Sequence, residues 1–557
     1  MDHGTVREIF SGLVGREVSR TSTMDSATES TSPSRPLSSF FITTAIDYTN
    51  GSPHLGHAYE KVLADVLARY HRLKGDKVFF LTGVDQHGQK VQQSAEKQGV
   101  PPKQFVDGVT ARFTALWEKL DIRFDGWAAT TDERHKECVR RILFRLNAEG
   151  QIYKDRRGGY YSVRQEQFLT DKERNENGEF GPEWGEVEFR EEENYYFRLA
   201  EHKQWLLDLI DRRSAAGTPL VIPDFRVAEL RNAVEKLEGD LCISRPKARL
   251  AWGIEFPFDP NFVTYVWFDA LVNYISFAPG YDPAAGADLT EFKTWWPALH
   301  VIGKDILIPA HGVYWPIMLK ALGFADDEIP PLLVHGWWNI SGAKMSKSLG
   351  NIVDPAVLAE KYGPETLRYY LMSDIATGRD ADFSEERLVQ RYNTDLANSL
   401  GNLLNRTLSM AAKYRGGVLA FGEAETRARG EAESANRVAA YTAALDRFAP
   451  DAALEAAGAL ASWCNGLVEE SAPWKLAKDP AQADRLDAVL YTLAESLRIL
   501  AILISPVLPR AAAGIFSQLN WNKAFSLADT RWGGLPGGHQ LGKASPLFPR
   551  IEANAEA

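Results

Sequence analysis

Apolar and polar positions change their rhythm three times along this chain. Phe40-Phe41-Ile42-Thr43-Thr44-Ala45 is a short β-rich run suited to a buried strand, and Asn50-Gly51-Ser52-Pro53 behind it makes a turn. From His57 onward Val62, Val66 and Tyr70 recur at helical spacing, with Leu63 and Leu67 beside them. Lys77 to Leu81 predicts a second strand, ended by Gly83. The order strand, turn, helix, strand predicts an α/β, Rossmann-like parallel sheet, and it sets His54 to His57 at a helix N-terminus, where such folds bind phosphate.

Residues 151–223 break the rhythm. Asp155-Arg156-Arg157-Gly158-Gly159, Asp171-Lys172-Glu173-Arg174 and Arg190-Glu191-Glu192-Glu193 are polar and turn-rich, which predicts a small inserted domain of short strands and loops. The α/β pattern resumes near Phe225 and includes Thr264-Tyr265-Val266-Trp267-Phe268 and His300-Val301-Ile302-Gly303. From about Ser384 the chain reads as helical. Leu388, Tyr392, Leu396, Leu400 and Leu404 step by four, and 430–448, 451–478 and 481–505 are three further helix candidates separated near Pro450 and Pro480. An α-helical bundle follows from that pattern. The expected divisions are a disordered tail over 1–38, the two halves of the nucleotide-binding domain over 39–150 and 224–340, and the insertion over 151–223. A connecting segment over 341–395, the bundle over 396–535 and a C-terminal tail over 536–557 complete the chain.

Composition narrows the function classes. The 557 residues are 45% hydrophobic and 25% charged, an ordinary soluble balance, and no apolar run approaches the roughly 20 residues of a membrane span. The net charge of −11 argues against indiscriminate coating of nucleic acid, although a local basic face can still bind a polyanion. Cys138, Cys242 and Cys464 are too few and too far apart for a disulfide framework or a Cys-x-x-Cys knuckle, and they suit a reducing compartment. In the Ser- and Thr-rich tail, Arg7, Arg16, Arg20 and Arg35 are offset by Asp2, Glu8, Glu17, Asp25 and Glu29, which counts against a transit peptide. Cytoplasmic localisation is the expectation, with Met24 an alternative start.

Two motifs carry the chemistry. His54-Leu55-Gly56-His57 reads HLGH, and Lys344-Met345-Ser346-Lys347-Ser348 reads KMSKS. Either alone is compatible with a helix cap or a solvated basic loop. Together, in this order, they point to activation of a carboxylate by ATP. A carboxylate attacking the α-phosphorus needs cations and donors placed on a loose transition state. His54 and His57 can face one phosphate groove, and Gly56 leaves room for adenosine near the backbone. Lys344 and Lys347 can close over the β- and γ-phosphates as flexible point charges, with Ser346 between them.

Further stretches surround these motifs: Ala45-Ile46-Asp47-Tyr48-Thr49-Asn50-Gly51, Phe80-Leu81-Thr82-Gly83-Val84-Asp85-Gln86-His87-Gly88, Tyr265-Val266-Trp267-Phe268-Asp269-Ala270, and His335-Gly336-Trp337 ahead of KMSKS. With them, residues 40–97 and 300–375 closely resemble the methionyl-tRNA synthetase family of class I aminoacyl-tRNA synthetases, and the resemblance extends over about 40–505. It implies that ATP with Mg²⁺, L-methionine and tRNA(Met) are the partners. It also implies that methionine lies against Ala45, Ile46, Tyr48, Asp85, Trp267, Ala270, Tyr274 and His311, the last selected by anchoring on Tyr314-Trp315-Pro316. An acid such as Asp85 can hold an α-ammonium, and aromatic rings offer faces and edges to a thioether at about 0.3–1.5 kcal/mol each.

The helical region resembles the family's anticodon-binding bundle, which implies that Asn402, Arg406 and Trp474 read the anticodon by stacking and hydrogen bonding. One departure stands out. Where many relatives carry cysteine knuckles, this chain has Tyr161-Ser162-Val163-Arg164-Gln165-Glu166 and Gly181-Pro182-Glu183-Trp184-Gly185. Ser162, Gln165 and Trp184 are poor zinc ligands, so a metal-free insertion is expected. Two alternatives stay open at this point. A class I enzyme for Leu, Ile, Val or Cys would share both motifs, although an insertion of about 75 residues is short for a hydrolytic second site. A catalytically silent tRNA-binding paralogue would also share them. A monomer is the expected state, since no appended dimerisation domain is visible after the bundle.

Overall fold

Seven parallel strands form the central sheet of the computed structural model, which describes residues 38–164, 167–169, 173–281, 289–340, 342–344 and 353–552. They are β1 (Ser39–Thr44), β2 (Asp47–Tyr48), β3 (Lys77–Asp85), β4 (Gly126–Ala129), β5 (Val221–Ile222), β6 (Leu299–Gly303) and β7 (Leu332–His335). Their lateral order is β4-β3-β1-β6-β7-β5, with β2 resuming the β1 line after a break at Ala45 and Ile46. Strands covered on both faces read as near-continuous apolar runs, which is why Phe40 to Ala45 is legible as one. From β1 the chain crosses through a helix to β3 on one side, while β6 leads to β7 on the other. The carboxyl ends of β1 and β6 therefore flank the point where the strand order reverses, and a crevice opens there.

The first crossover is α1 (Leu55–Lys74). Every residue from Ala58 to Ala68 is buried, about three full turns, so the helix has no solvent face along its middle. The apolar stripe predicted at 62, 66 and 70 is one side of a helix that is also covered on the others. Gly75 ends it at φ 89°, and His71, Arg72 and Lys74 occupy its last turn, where cations suit the helix dipole.

The insertion is built from longer strands than the sequence suggests. Ile152–Ser162 and Val187–Phe197 are eleven residues each and pair antiparallel along their whole length, flanked by Gln167–Leu169 and Leu241–Cys242. The charged runs that read as loops face one another instead: Arg156 lies opposite Glu193 and Arg157 opposite Glu192, and opposite charges stabilise such cross-strand pairs. The stretch 151–223 also contains the helix Lys203–Ala215 and ends inside the central sheet at β5. Leu241–Cys242 returns to the insertion, and Ser244–Pro246, Glu255–Phe256 and Asp259–Thr264 add a second small antiparallel sheet.

Beyond the α/β domain, α2 (Pro364–Ser373) leads to the bundle: α3 (Asn402–Arg415), α4 (Ala424–Leu445), α5 (Pro450–Ser471) and α6 (Ala483–Ile504), then α7 (Pro509–Gln518). Leu388, Tyr392, Leu396, Leu400 and Leu404 are all buried. Residues 536–552, expected as a tail, pack back onto the helices. Tyr392 Oη donates to the Pro549 carbonyl at 2.9 Å, and Asn393 exchanges two bonds with the Ile551 backbone at 2.8 and 3.0 Å. Such a strap has no periodicity of its own to announce it. The N-terminal stretch 1–37 lies outside the described residues. Among those described, no helix is long and apolar enough to cross a membrane.

Candidate functional site

The crevice at the strand reversal is a cavity of about 460 Å³. Its floor is made by strand ends: Ala45 and Ile46 follow β1, Tyr48 is in β2, Asp85 closes β3, Gly303 closes β6 and His335 closes β7. The short helices Val266–Leu271 and Asn273–Ser276 bring Trp267, Ala270 and Tyr274, and the segment after β6 brings His311. All eight side chains assigned to methionine by resemblance thus line one cavity, together with His54, Gly56 and His57.

The two motif histidines lock each other and cap α1. The Gly56 N–H donates to His54 Nδ1 at 3.1 Å, and the His54 N–H donates to His57 Nδ1 at 3.1 Å. This is a reciprocal capping box made from two histidines, with ring centroids 3.8 Å apart. A backbone N–H can only donate, so each Nδ1 is an acceptor and each neutral ring carries its proton on Nε2. Capping the helix and offering N–H donors to an anion are therefore one arrangement, not alternatives.

A second chain of hydrogen bonds shapes the aromatic end. His311 Nδ1 lies 3.0 Å from the Ile306 carbonyl and must donate to it, which leaves Nε2 to accept from Tyr274 Oη at 2.7 Å. Burial pushes the His311 pKa down to about 4 and the Tyr274 phenol well up, so both are neutral near pH 7. Trp267 stands edge-on to His311 with centroids 6.1 Å apart. Across the cavity, Asp85 Oδ1 accepts from Thr130 Oγ1 and from the His87 N–H, both at 3.3 Å, which fixes its carboxylate. Gly88 next to it has φ +106°, and a Cβ there would lie 2.6 Å from the Tyr48 hydroxyl oxygen.

Sequence reasoning missed the charged cluster beneath this floor. Lys61 is fully buried, and its ammonium donates to the Ala45 carbonyl at 2.9 Å, Asp47 Oδ1 at 2.9 Å and Glu60 Oε1 at 2.8 Å. Glu60 Oε2 lies 3.2 Å from His335 Nε2. Burial opposes the Lys61 charge, but Asp47 and Glu60 outweigh it and hold its pKa above the usual value. Burial likewise opposes the Glu60 charge, yet Lys61 and His335 hold its pKa low, whereas burial pushes Asp47 up to about 7. Glu60 has both Lys61 and His335 while Asp47 has Lys61 alone, so Asp47 is the member left short. The signal in the sequence was a Glu-Lys pair among the apolar positions of the helix.

The second motif is described only at its root. Ala343–Lys344 pairs antiparallel with Trp338–Ile340, placing the Lys344 backbone opposite Asn339, the residue after Trp338 of the cavity wall. Ser346 and Lys347 lie outside the described residues. Asn402, Arg406 and Trp474 are not at the cavity. They sit on the bundle, where Arg406 pairs with Glu469 at 2.7 Å, five residues before Trp474, and the Trp474 ring is exposed. In the insertion, the Ser162 hydroxyl donates to the Trp184 carbonyl, which does not fit a zinc ligand, and Gln165 lies outside the described residues. Among the described residues no group of three or more His, Cys, Asp or Glu side chains is placed to hold a metal ion.

Residues 40–178 and 184–408 match the family model described as tRNA synthetases class I (M), and 418–557 match the anticodon binding domain of methionyl tRNA ligase. The chain is similar to the methionine–tRNA ligase of Deinococcus radiodurans, with 40% identity over 536 residues, 95% of this chain and 77% of that protein. The Bacillus subtilis enzyme is 41% identical over 550 residues, covering 93% and 78%. Among solved structures, Mycobacterium tuberculosis methionyl-tRNA synthetase in complex with methionyl-adenylate aligns with a TM-score of 0.84 at 37% identity, over 92% of this chain and 100% of that one.

Replacing Lys61 with Met strands the Asp47 carboxylate in the interior and leaves Glu60 with His335. The expected cost is about 3–5 kcal/mol, read from denaturant unfolding and reduced by adding Asp47→Asn. His311 makes a pH prediction. The unfolded chain takes up this proton near 6.5 and the folded ring only near 4, so the stability given by the neutral ring is whole above 6.5 and is lost as pH falls towards 4. The melting-temperature gap between wild type and His311→Gln should therefore narrow between about pH 7 and about pH 5.

Proposed function

The chain belongs to the methionyl-tRNA synthetase family, and on that premise we propose which of its residues carry each step of joining methionine to tRNA. The enzyme activates methionine with ATP to methionyl-adenylate and then transfers the methionyl group to tRNA(Met). The observation that carries the residue assignment is the cavity itself. It sets two Nε2–H donors at a helix N-terminus against an aromatic pocket closed by a neutral histidine.

In the first step a methionine carboxylate oxygen attacks the α-phosphorus, the new O–P bond forms in line, and the bond to pyrophosphate breaks. Asp85 holds the α-ammonium, and Tyr48, Trp267, Tyr274 and His311 surround the thioether, with Ala45, Ile46 and Ala270 shaping the floor. His54 and His57 donate to the phosphate oxygens while Gly56 admits the nucleotide. Lys344 and Lys347 neutralise the departing pyrophosphate and Ser346 donates a hydrogen bond to it, while Mg²⁺ would enter with ATP and add positive charge on its phosphates. In the second step the terminal ribose hydroxyl of the tRNA attacks the adenylate carbonyl and AMP leaves. Asn402, Arg406 and Trp474 read the anticodon loop from the bundle. A cytoplasmic monomer belongs to the same reading, supported by three unpaired cysteines and by one chain that carries both the cavity and the bundle.

ATP–pyrophosphate exchange should depend on methionine and fall by about 10²–10³ in Lys347→Ala, the scale of losing one transition-state donor. Exchange driven equally by leucine would overturn the pocket assignment. Trp474→Ala should leave exchange intact and lower charging of tRNA by about 10–100-fold, the worth of one stacked base.

A further inference from the structure

Outside the cavity, Arg368 on α2 is a buried charge whose partners lie on both the α/β domain and the bundle. It is fully buried, and its guanidinium is committed in four directions. Nε donates to the Val507 carbonyl at 2.8 Å, Nη1 to the Leu120 carbonyl at 3.1 Å, and Nη2 to the Pro506 carbonyl at 2.8 Å and to Asp65 Oδ2 at 2.7 Å. Asp65 is equally buried and equally committed. Its Oδ1 accepts from the Arg123 N–H at 2.9 Å, and its Oδ2 also binds Arg69 Nε at 2.7 Å.

The identity of these partners matters more than their number. Asp65 is on α1, whose N-terminus is the histidine capping box. Pro506 and Val507 lie in the turn between α6 and α7 of the bundle, and Leu120 ends the helix Pro102–Lys119 of the α/β domain. A single planar fork thus fixes the bundle's backbone to the mid-point of the helix that carries the phosphate-facing histidines. A second tie lies two turns further along α1. Tyr70 Oη donates to Asp446 Oδ1 at 2.8 Å and Lys74 pairs with the same oxygen at 2.8 Å, where Asp446 follows α4. Helix α1 is consequently held by the bundle at two heights and by substrate-lining loops at its start.

Packed helices have discrete arrangements and do not deform continuously, so a change in how the bundle seats is passed to α1 as a rigid-body shift. The carbonyl partners give the coupling its direction: they report the position of the bundle's main chain, not a side-chain rotamer. We propose that Arg368 is a positioning residue that couples seating of the anticodon-binding bundle to the helix presenting His54 and His57, so that a bundle closed on its cognate anticodon favours transfer to tRNA. This rests on the family reading above and goes beyond it, since Arg368 and Asp65 touch neither substrate cavity nor anticodon-reading face.

The test compares Arg368→Lys, which keeps the charge and loses the fork, with Asp65→Asn, which loses the charge on the α1 side. Each is assayed as full-length protein for methionine-dependent ATP–pyrophosphate exchange and for charging of tRNA(Met) with its own and with an altered anticodon. Exchange should stay within about threefold of wild type, charging of the cognate tRNA should fall by about tenfold or more, and the preference for the cognate anticodon should shrink by a similar factor. A merely structural staple would not move that preference. Equal loss of exchange and charging, unchanged charging, an intact anticodon preference, or failure of both variants to fold would each overturn the proposal. If wild-type exchange did not require methionine, the family reading would fail instead, independently of these variants.

Discussion

A helix buried on every side cannot leave a charge to water, and α1 carries four acidic or basic side chains in its buried and partly buried middle: Glu60, Lys61, Asp65 and Arg69. Each has to be answered by a partner on the helix or on an element packed against it. Lys61 answers Glu60 and reaches back to the loop after β1, while Asp65 answers Arg69, Arg368 and the Arg123 backbone. Desolvated charges are costly unless paired and hydrogen-bonded, so these bonds dictate where the loop, the connecting helix and the bundle sit. The cavity and the interdomain seam are both consequences of burying this one helix.

The same constraint sets the chemistry of the site. A cavity walled by Trp267, Tyr274 and Ala270 has a low dielectric, which magnifies every fixed donor and acceptor in it. His311 stays neutral there because burial disfavours its charged form, and its two neighbours leave it one acceptor and one donor. At the other end backbone N–H groups occupy both Nδ1 atoms of the capping box, so the Nε2–H tautomers are chosen by the fold before any nucleotide arrives. Donors oriented in advance cost no reorganisation when charge develops.

Much of this was legible in one dimension. The buried strand at Phe40 to Ala45, the helix after HLGH and the bundle helices broken at Pro450 and Pro480 all follow from periodicity and turn residues, and the structure contains them. The family resemblance grouped Ala45, Tyr48, Asp85, Trp267, Tyr274 and His311 as one set, and these residues line one cavity at the strand ends. The insertion was misjudged because its charges looked like solvated loops. Arg156 and Glu193 are far apart in sequence, and only pairing of the two long strands turns them into neighbours. The strap over 536–552 was misjudged for a related reason, since its stability comes from Tyr392 and Asn393 on another segment.

Local chemistry therefore decided the elements and the reaction type. Periodicity, turns and two short motifs are properties of neighbouring residues, and they survive without a fold. Tertiary structure alone decided which charges could be buried and that Asp65 and Arg368 join α1 to the bundle. Those outcomes depend on dielectric and on partners hundreds of residues away, and neither is a property of a segment read by itself.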